Sequence, residues 1–352
     1  LDRLRLGYWL MLREGSFRRD LEGTLKPLAG RGVSLQRLIL VTDGMDPDDT
    51  AEHGHIDHVV RRAVSLGLPP MQAIQAVTLN PATYAGLEQE IGGIAPGRHA
   101  DLVLLEDLAA ARVHATLIGG EVVAEEGRSL VTAAPISLPE ETIRCLRLKA
   151  GVKPDDFRIP SPAPQPRIRA MELLNLNITA ERVLPVKAKG GALPADLDQD
   201  LLKVAVFDRH GQTGKIALGF LKGFGAKVGA VGTTSNLDEN TLLVAGSNDE
   251  DMAHCANLLI ESGGGIAVVD RGEVLEKMEF PVGGIFSLEP WRRMGERLNR
   301  MQRCLRERGA PFSKPIYALS FLTFVALPSL RITSRGLINA KERKIVPLMV
   351  EE

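Results

Sequence analysis

Leu38-Ile39-Leu40-Val41-Thr42-Asp43-Gly44 is an unbroken apolar run that stops abruptly at Thr-Asp-Gly. A short apolar run bounded by polar residues reads as a strand buried on both faces, the pattern of a parallel sheet. Parallel α/β folds place their chemistry at the C-terminal ends of strands, and Asp43 falls at such an end. By position alone, a helix cap or a solvated loop acid is an open alternative. Upstream, Tyr8-Trp9-Leu10-Met11-Leu12 repeats the pattern and ends in Arg13-Glu14-Gly15-Ser16, with a helix-like segment between the two runs. Downstream, Ile56, Val59, Val60, Ala63 and Val64 follow the 3.6-residue period and stop at Gly67. Met71, Ile74 and Val77 mark a shorter helix, and Asn80-Pro81 opens another with Asn as N-cap and Pro at the first helical position. This rhythm of strand and helix suits an α/β barrel or an open parallel sheet.

The texture becomes β over residues 86–136. Ile94-Ala95-Pro96-Gly97 signals a turn, 101–105 a strand, and Gly119-Gly120 a two-residue hairpin between 115–118 and 121–124. Residues 137–166 carry a Pro-rich run and are expected to be a linker. Residues 167–352 read as a mixed α/β domain. Short strands are expected at 204–207, 228–231, 242–244 and 266–269. One helix is marked by Met252, Cys255, Ala256 and Leu259. A longer one carries Trp291, Met294, Leu298, Met301 and Leu305 as core positions.

Among the 352 residues, 43 Lys+Arg balance 44 Asp+Glu, which argues against nucleic-acid or basic membrane-surface binding, since both need a concentrated cationic field. No apolar run approaches the roughly 18–20 residues of a membrane span. The three cysteines, widely spaced, fit neither a disulfide framework nor a Cys-type zinc site. A cytoplasmic protein is expected. The chain starts at Leu1 within an amphipathic segment, so an N-terminally incomplete product is also expected.

Several constellations have plain alternatives. His53-Gly54-His55 has the i, i+2 spacing that chelates on a strand, but it feeds a helix through a glycine and is expected to be a helix entry. Asp46, Asp48 and Asp49 surround Pro47, where first-turn helix acids are the better reading than a hard-cation site. The glycines of 211–232 lack P-loop spacing, and Gly263-Gly264-Gly265 is not a dinucleotide fingerprint; tight turns are expected at both. His210, beside a turn, is equally a structural residue or a group facing a site.

Thr78-Leu-Asn-Pro-Ala82, Gly86-Leu87 and Gly92-Gly-Ile-Ala-Pro-Gly-Arg-His-Ala-Asp-Leu-Val-Leu-Leu105, taken in that order, resemble the end of an amidohydrolase barrel and its return to a small β domain. Leu12-Arg-Glu-Gly-Ser16, Val41-Thr-Asp-Gly44, Pro47-Asp-Asp49 and Gly54-His-Ile-Asp57 narrow the resemblance to the adenine deaminase family. Arg209-His-Gly-x-Thr-Gly214, Gly219-Phe-x-Lys-Gly-Phe-Gly225, Asn248-Asp-Glu-Asp-Met252 and Leu319-Ser-Phe-Leu322 agree. The resemblance covers nearly the whole chain but only the later part of the family's length. It implies an α/β fold made of the C-terminal part of a (β/α)8 barrel (1–85), a small β domain (86–136), the linker (137–166) and a C-terminal α/β domain (167–352).

The implied activity is hydrolysis of adenine to hypoxanthine and ammonia in purine salvage. Its hydroxide is made by a divalent metal (manganese, iron or zinc) whose ligands are mostly expected upstream of residue 1. By the family pattern Asp43 is both metal ligand and proton shuttle, while Arg13, Glu14, Ser16, His210 and Asp238 are weaker candidates for substrate contact. Adenine is the expected partner, without nucleic acid or membrane, and a homo-oligomer is compatible. One departure stands out. Where the family carries His-Asp-x-His-Asn, this chain reads Leu237-Asp238-Glu239-Asn240-Thr241, and neither Leu nor Asn replaces an imidazole as ligand or proton relay. The alternatives are an amidohydrolase acting on a cyclic amide or ureide, and a diverged, non-catalytic paralogue. The absence of Pro-Cys-x-x-Cys excludes the cytidine-deaminase type of zinc site.

Overall fold

The computed structural model describes residues 1–28, 31–132, 134, 136–146, 148, 151–208 and 214–350. The chain divides into two compact units, Leu1–Ile136 and Ser137–Glu352.

In the first unit, α1 (Asp2–Arg5) leads to β1 (Leu10–Arg13), and α2 (Leu21–Leu25) lies on the way to β2 (Leu38–Val41). The two strands pair in parallel, Leu10 opposite Leu38 through Arg13 opposite Val41. Helices α3 (Pro47–His53), α4 (Ile56–Ser65), α5 (Pro70–Gln75) and α6 (Leu79–Ala85) follow. Leu12, Leu21, Leu25, Leu38, Leu40, Val59, Val60 and Ala63 form one apolar cluster, so the strands and α2 and α4 bury a common face. β2 is buried as expected, but Met11 on β1 is 48% exposed. Successive strand residues point to opposite faces, and only the Leu12 side of β1 is packed.

Asn80 departs from its expected capping role. Helix α6 begins at Leu79, and Asn80 lies buried inside it. Its Nδ2 donates to the carbonyl oxygens of Leu38 at 2.7 Å and Leu35 at 3.3 Å, anchoring the entry to β2 instead. Strands β3 (Leu102–Asp107), β4 (Arg112–Ile118), β5 (Glu121–Glu125) and β6 (Arg128–Ser129) form an antiparallel sheet in that order. Gly119 and Gly120, with φ of 60° and 87°, make the two-residue hairpin between β4 and β5. That loop needs positive φ at both positions, which glycine adopts without a Cβ clash.

The second unit is built on an eight-stranded mixed sheet. Its strands are β7 (Arg167–Leu173), β8 (Thr179–Pro185), β9 (Leu201–Phe207), β10 (Ile216–Lys222), β11 (Ala230–Thr233), β12 (Leu243–Gly246), β13 (Gly265–Asp270) and β14 (Glu273–Glu279). Their spatial order is β14-β13-β11-β12-β9-β10-β7-β8, with β10 parallel to β7 and the other neighbours antiparallel. Every residue of β9 is buried because both faces are covered. Helix α7 (Asp249–Glu261) packs Met252, Cys255, Ala256 and Leu259 against Ala205, Phe207, Val244 and Ala267. The opposite set, Val204, Val206, Leu243 and Val268, meets Leu298, Met301 and Leu305 of α8 (Trp291–Glu307) and Ile316 and Leu319 of α9 (Pro315–Ser320). A three-stranded sheet, β15 (Leu330–Thr333), β16 (Gly336–Asn339) and β17 (Lys344–Val346), completes the unit.

Two expectations for this unit are revised. Trp291, read as core, is 44% exposed, with the Arg292 guanidinium 4.6 Å over its ring; the core face of α8 begins further along, at Met294, half-buried against the cluster of Leu298, Met301 and Leu305. Within the stretch expected as a linker, Val152, Phe157 and Ile159 are buried, and Lys203 Nζ donates to the Phe157 carbonyl at 3.1 Å. Gly265 sits where an added Cβ would lie 2.0 Å from the Met278 carbonyl, so the Gly263–Gly265 run serves close backbone approach. All three cysteines are free thiols.

Candidate functional site

The turn after β2 carries Asp43 in the left-handed region, φ 51°, followed by Gly44 at φ 86°. A non-glycine residue there is strained and persists only when its surroundings hold it. The segment after β1 does the holding. Glu14 N donates to Val41 O at 3.0 Å and Ser16 N to Gly44 O at 3.0 Å. Gly15 lies between them, where a Cβ would meet Thr42 O at 2.0 Å and Gly44 O at 2.5 Å. Gly44 in turn presses on Phe17, whose ring an added Cβ would meet at 2.4 Å. The Arg-Glu-Gly-Ser and Thr-Asp-Gly motifs, about 30 residues apart in sequence, are therefore the two halves of one clasp.

Arg13, the last residue of β1, reaches across it. Its NH1 donates to Asp43 Oδ2 at 2.7 Å and its Nε to Asp20 Oδ2 at 3.0 Å. The hydrogen bond to Asp43, opposed by burial and reinforced by Asp20, holds this guanidinium above its ordinary pKa. The Asp43 side chain is 53% exposed and open to a ligand. Asp20 precedes α2 at its N-cap position but makes no capping bond, because its carboxylate has turned to Arg13. Sequence reading did not single out Asp20. Its only local signal was that of a cap, and nothing in the spacing announces a partner seven residues away.

Glu14 and Ser16, both expected near substrate, are buried and engaged within the chain. Glu14 Oε2 accepts from Leu21 N at 3.2 Å, tying the start of α2 to β1. Ser16 Oγ donates to Asp49 Oδ2 at 2.5 Å and accepts from Asp46 N at 2.8 Å. Asp49 also pairs with Arg19 at 3.4 Å. Asp48 and Asp49 stand in the first turn of α3 behind Pro47, with Asp46 as N-cap. Carboxylate oxygens of these three acids lie within 4.8 Å of one another. His53 ends α3 and stacks on His58 at 5.3 Å, while His55 occupies the N-cap position of α4 without a side-chain capping bond, so both lie at a helix junction.

Asp43 belongs to no group of three or more ligating side chains among the described residues. One carboxylate beside a guanidinium does not make a metal site by itself, since a bound divalent ion requires several donors. At the Asp43 turn the described residues therefore offer a single ligand and do not by themselves fit a resident metal there.

The remaining candidates lie in the second unit. Asp238, at φ 68°, is exposed, and its Oδ2 accepts from Val325 N at 3.2 Å. Its neighbours are fixed through their backbone: Leu237 N donates to Ser320 O at 3.0 Å and Leu237 O accepts from Thr323 Oγ1 at 2.5 Å. Leu237 is half-buried and Asn240 exposed. His210 lies outside the described residues.

Residues 177–344 match the adenine deaminase C-terminal domain and residues 22–123 the amidohydrolase family. Among curated relatives, an adenine deaminase of Moorella thermoacetica is 40% identical over 352 residues, spanning 99% of this chain and 59% of the relative. One from Clostridium botulinum (strain Langeland) is 36% identical, covering 100% of this chain and 59% of the relative. One from Cenarchaeum symbiosum is 37% identical, covering 99% and 57%. The chain thus spans somewhat less than three-fifths of the length of these relatives.

Proposed function

We infer, from residues 22–123 that match the amidohydrolase family and residues 177–344 that match the adenine deaminase C-terminal domain, a hydrolase of the adenine deaminase type. The reaction is adenine plus water to hypoxanthine plus ammonia, a step of cytoplasmic purine salvage. In this reading residues 1–85 are the last strands and helices of a (β/α)8 barrel, 86–136 its small β domain, and 167–352 the C-terminal domain.

What supports it most is Asp43: an exposed carboxylate on a strained turn at the C-terminal end of a parallel strand. A divalent metal of the family would supply hydroxide when bound, with Asp43 as the ligand this chain contributes. Asp43 itself accepts the proton of the attacking water and returns it to the purine as the amine departs. Base and acid in turn is a role one carboxylate can fill across two steps. Arg13 lies against that carboxylate, and Glu14 and Ser16 support the turn that carries it.

The test is ammonia release by the full-length protein from adenine, set beside a panel of cyclic amides and ureides. Adenine turnover sensitive to chelation is the expected result. Turnover of a cyclic amide without adenine would overturn the assignment.

A further inference from the structure

We propose that Arg13 is the positioning residue of Asp43 and that Asp20 positions Arg13, so that the two oxygens of the Asp43 carboxylate have separate tasks. The inference rests on the reading of Asp43 as the proton-accepting carboxylate.

The geometry assigns the oxygens asymmetrically. Asp43 Oδ2 accepts from Arg13 NH1 at 2.7 Å, whereas Oδ1 has no hydrogen-bond partner among the described residues. Arg13 is held in turn by Asp20, through Nε rather than a second terminal nitrogen. A guanidinium is planar and its donors are fixed relative to one another. Anchoring Nε therefore sets the direction in which NH1 points. The result is a carboxylate–guanidinium–carboxylate line that pins one edge of Asp43 and leaves the other edge for the reacting group.

Stability gives no reason for such a line. All three side chains are between 38% and 53% exposed, a setting in which ion pairs contribute little to folding. Orientation gives one. Asp43 sits on a turn fixed by the Gly15 clasp, so its backbone is placed, but an exposed Asp side chain still samples several rotamers. Restricting it to one is worth rate only if a reacting group must be met in a set direction.

The proposal differs from a substrate-contact role for Arg13, in which the guanidinium would bind the purine and Asp20 would be incidental. Lysine at position 13 keeps the charge but not the fork, and cannot span both carboxylates with fixed directions.

Crystal structures and steady-state kinetics of Arg13→Gln, Arg13→Lys and Asp20→Asn in the full-length protein test it. Asp20→Asn should release Arg13 from Asp43 and leave the Asp43 side chain in more than one rotamer. With adenine, Arg13→Gln should lower kcat about 10-fold or more with KM within twofold, and Arg13→Lys should recover little of it. Asp20→Asn should cost less and add nothing in the Arg13→Gln background. A raised KM at unchanged kcat, or an Asp43 that keeps its single rotamer in Asp20→Asn, would overturn the positioning role. If the parent protein does not turn over adenine, the functional reading fails, while the rotamer comparison still decides the positioning.

Discussion

At the scale of single residues, Asp43 and the pair Leu237 and Asn240 carry the sharpest consequences. Asp43→Asn keeps the side chain's volume and a partner for Arg13 but loses the ability to accept a proton. In the full-length protein it should cut adenine turnover by about 10²-fold or more. The thermal midpoint should hardly move, because an exposed ion pair contributes at most about 1 kcal/mol. Activity within a few-fold of the parent would reduce Asp43 to a turn residue. Leu237 and Asn240 stand where the resemblance to the adenine deaminase family implies imidazoles. Leu237 is anchored through its backbone to Ser320 and Thr323, so its side chain can change while the loop stays in place. Asn240 is exposed at φ 46°, a conformation histidine tolerates better than branched residues do. Leu237→His with Asn240→His is therefore expected to fold and to raise adenine turnover. Unchanged rates in the folded double variant, at equal metal occupancy, would show that the imidazoles serve the C-terminal domain alone.

At the scale of elements, the junction of α3 and α4 predicts a pH dependence. His58 is pushed below its ordinary value first by burial, then by the charge of the stacked His53 and by Arg61 and Arg19, against a smaller pull from Asp57. The unfolded chain, with a histidine near pH 6.5, thus takes up the proton before the folded one does. Stability of the first unit should be fully present above that pH and should decline as pH falls through it toward the lowered folded value. Chemical denaturation between pH 7.5 and 5 measures this, and His58→Gln should flatten the slope; an equal slope in both proteins would place the titration elsewhere. The same elements show what sequence makes legible. β2, α4 and the β4–β5 hairpin follow from local pattern, because their periodicity and glycines state the burial directly. Asn80 was misread as a cap because Asn-Pro satisfies the local rule, while its true partners, the carbonyls of Leu35 and Leu38, lie more than 40 residues away. The stretch 137–166 read as a linker because proline composition masks a single buried ring, Phe157. In the candidate site, the two motifs were visible but their clasp was not, nor was Asp20, since a salt bridge has no periodicity to betray it.

At the scale of the molecule, the two units differ in how their sheets are covered. The second unit covers its central sheet with α7 on one face and α8 and α9 on the other, so its core is closed around β9. The first unit holds the candidate chemistry on a two-stranded parallel sheet, and it exposes Leu6, Tyr8, Met11, Val103, Leu104, Ile118 and Val122. Apolar surface of that kind is normally covered by another layer. The ligand count points the same way, since one carboxylate lies at the turn where a catalytic ion would need three or more protein donors. A polypeptide of these 352 residues alone should therefore release no ammonia from adenine above background, even with manganese, iron or zinc added. Its metal binding should also be unaffected by Asp43→Asn, because a single exposed oxygen beside Arg13 contributes negligible affinity. Ammonia assays and metal titrations on the 352-residue polypeptide and its Asp43→Asn variant decide the matter. Robust deamination that the variant loses would mean that these 352 residues hold a complete centre, and that its ligand set extends beyond Asp43.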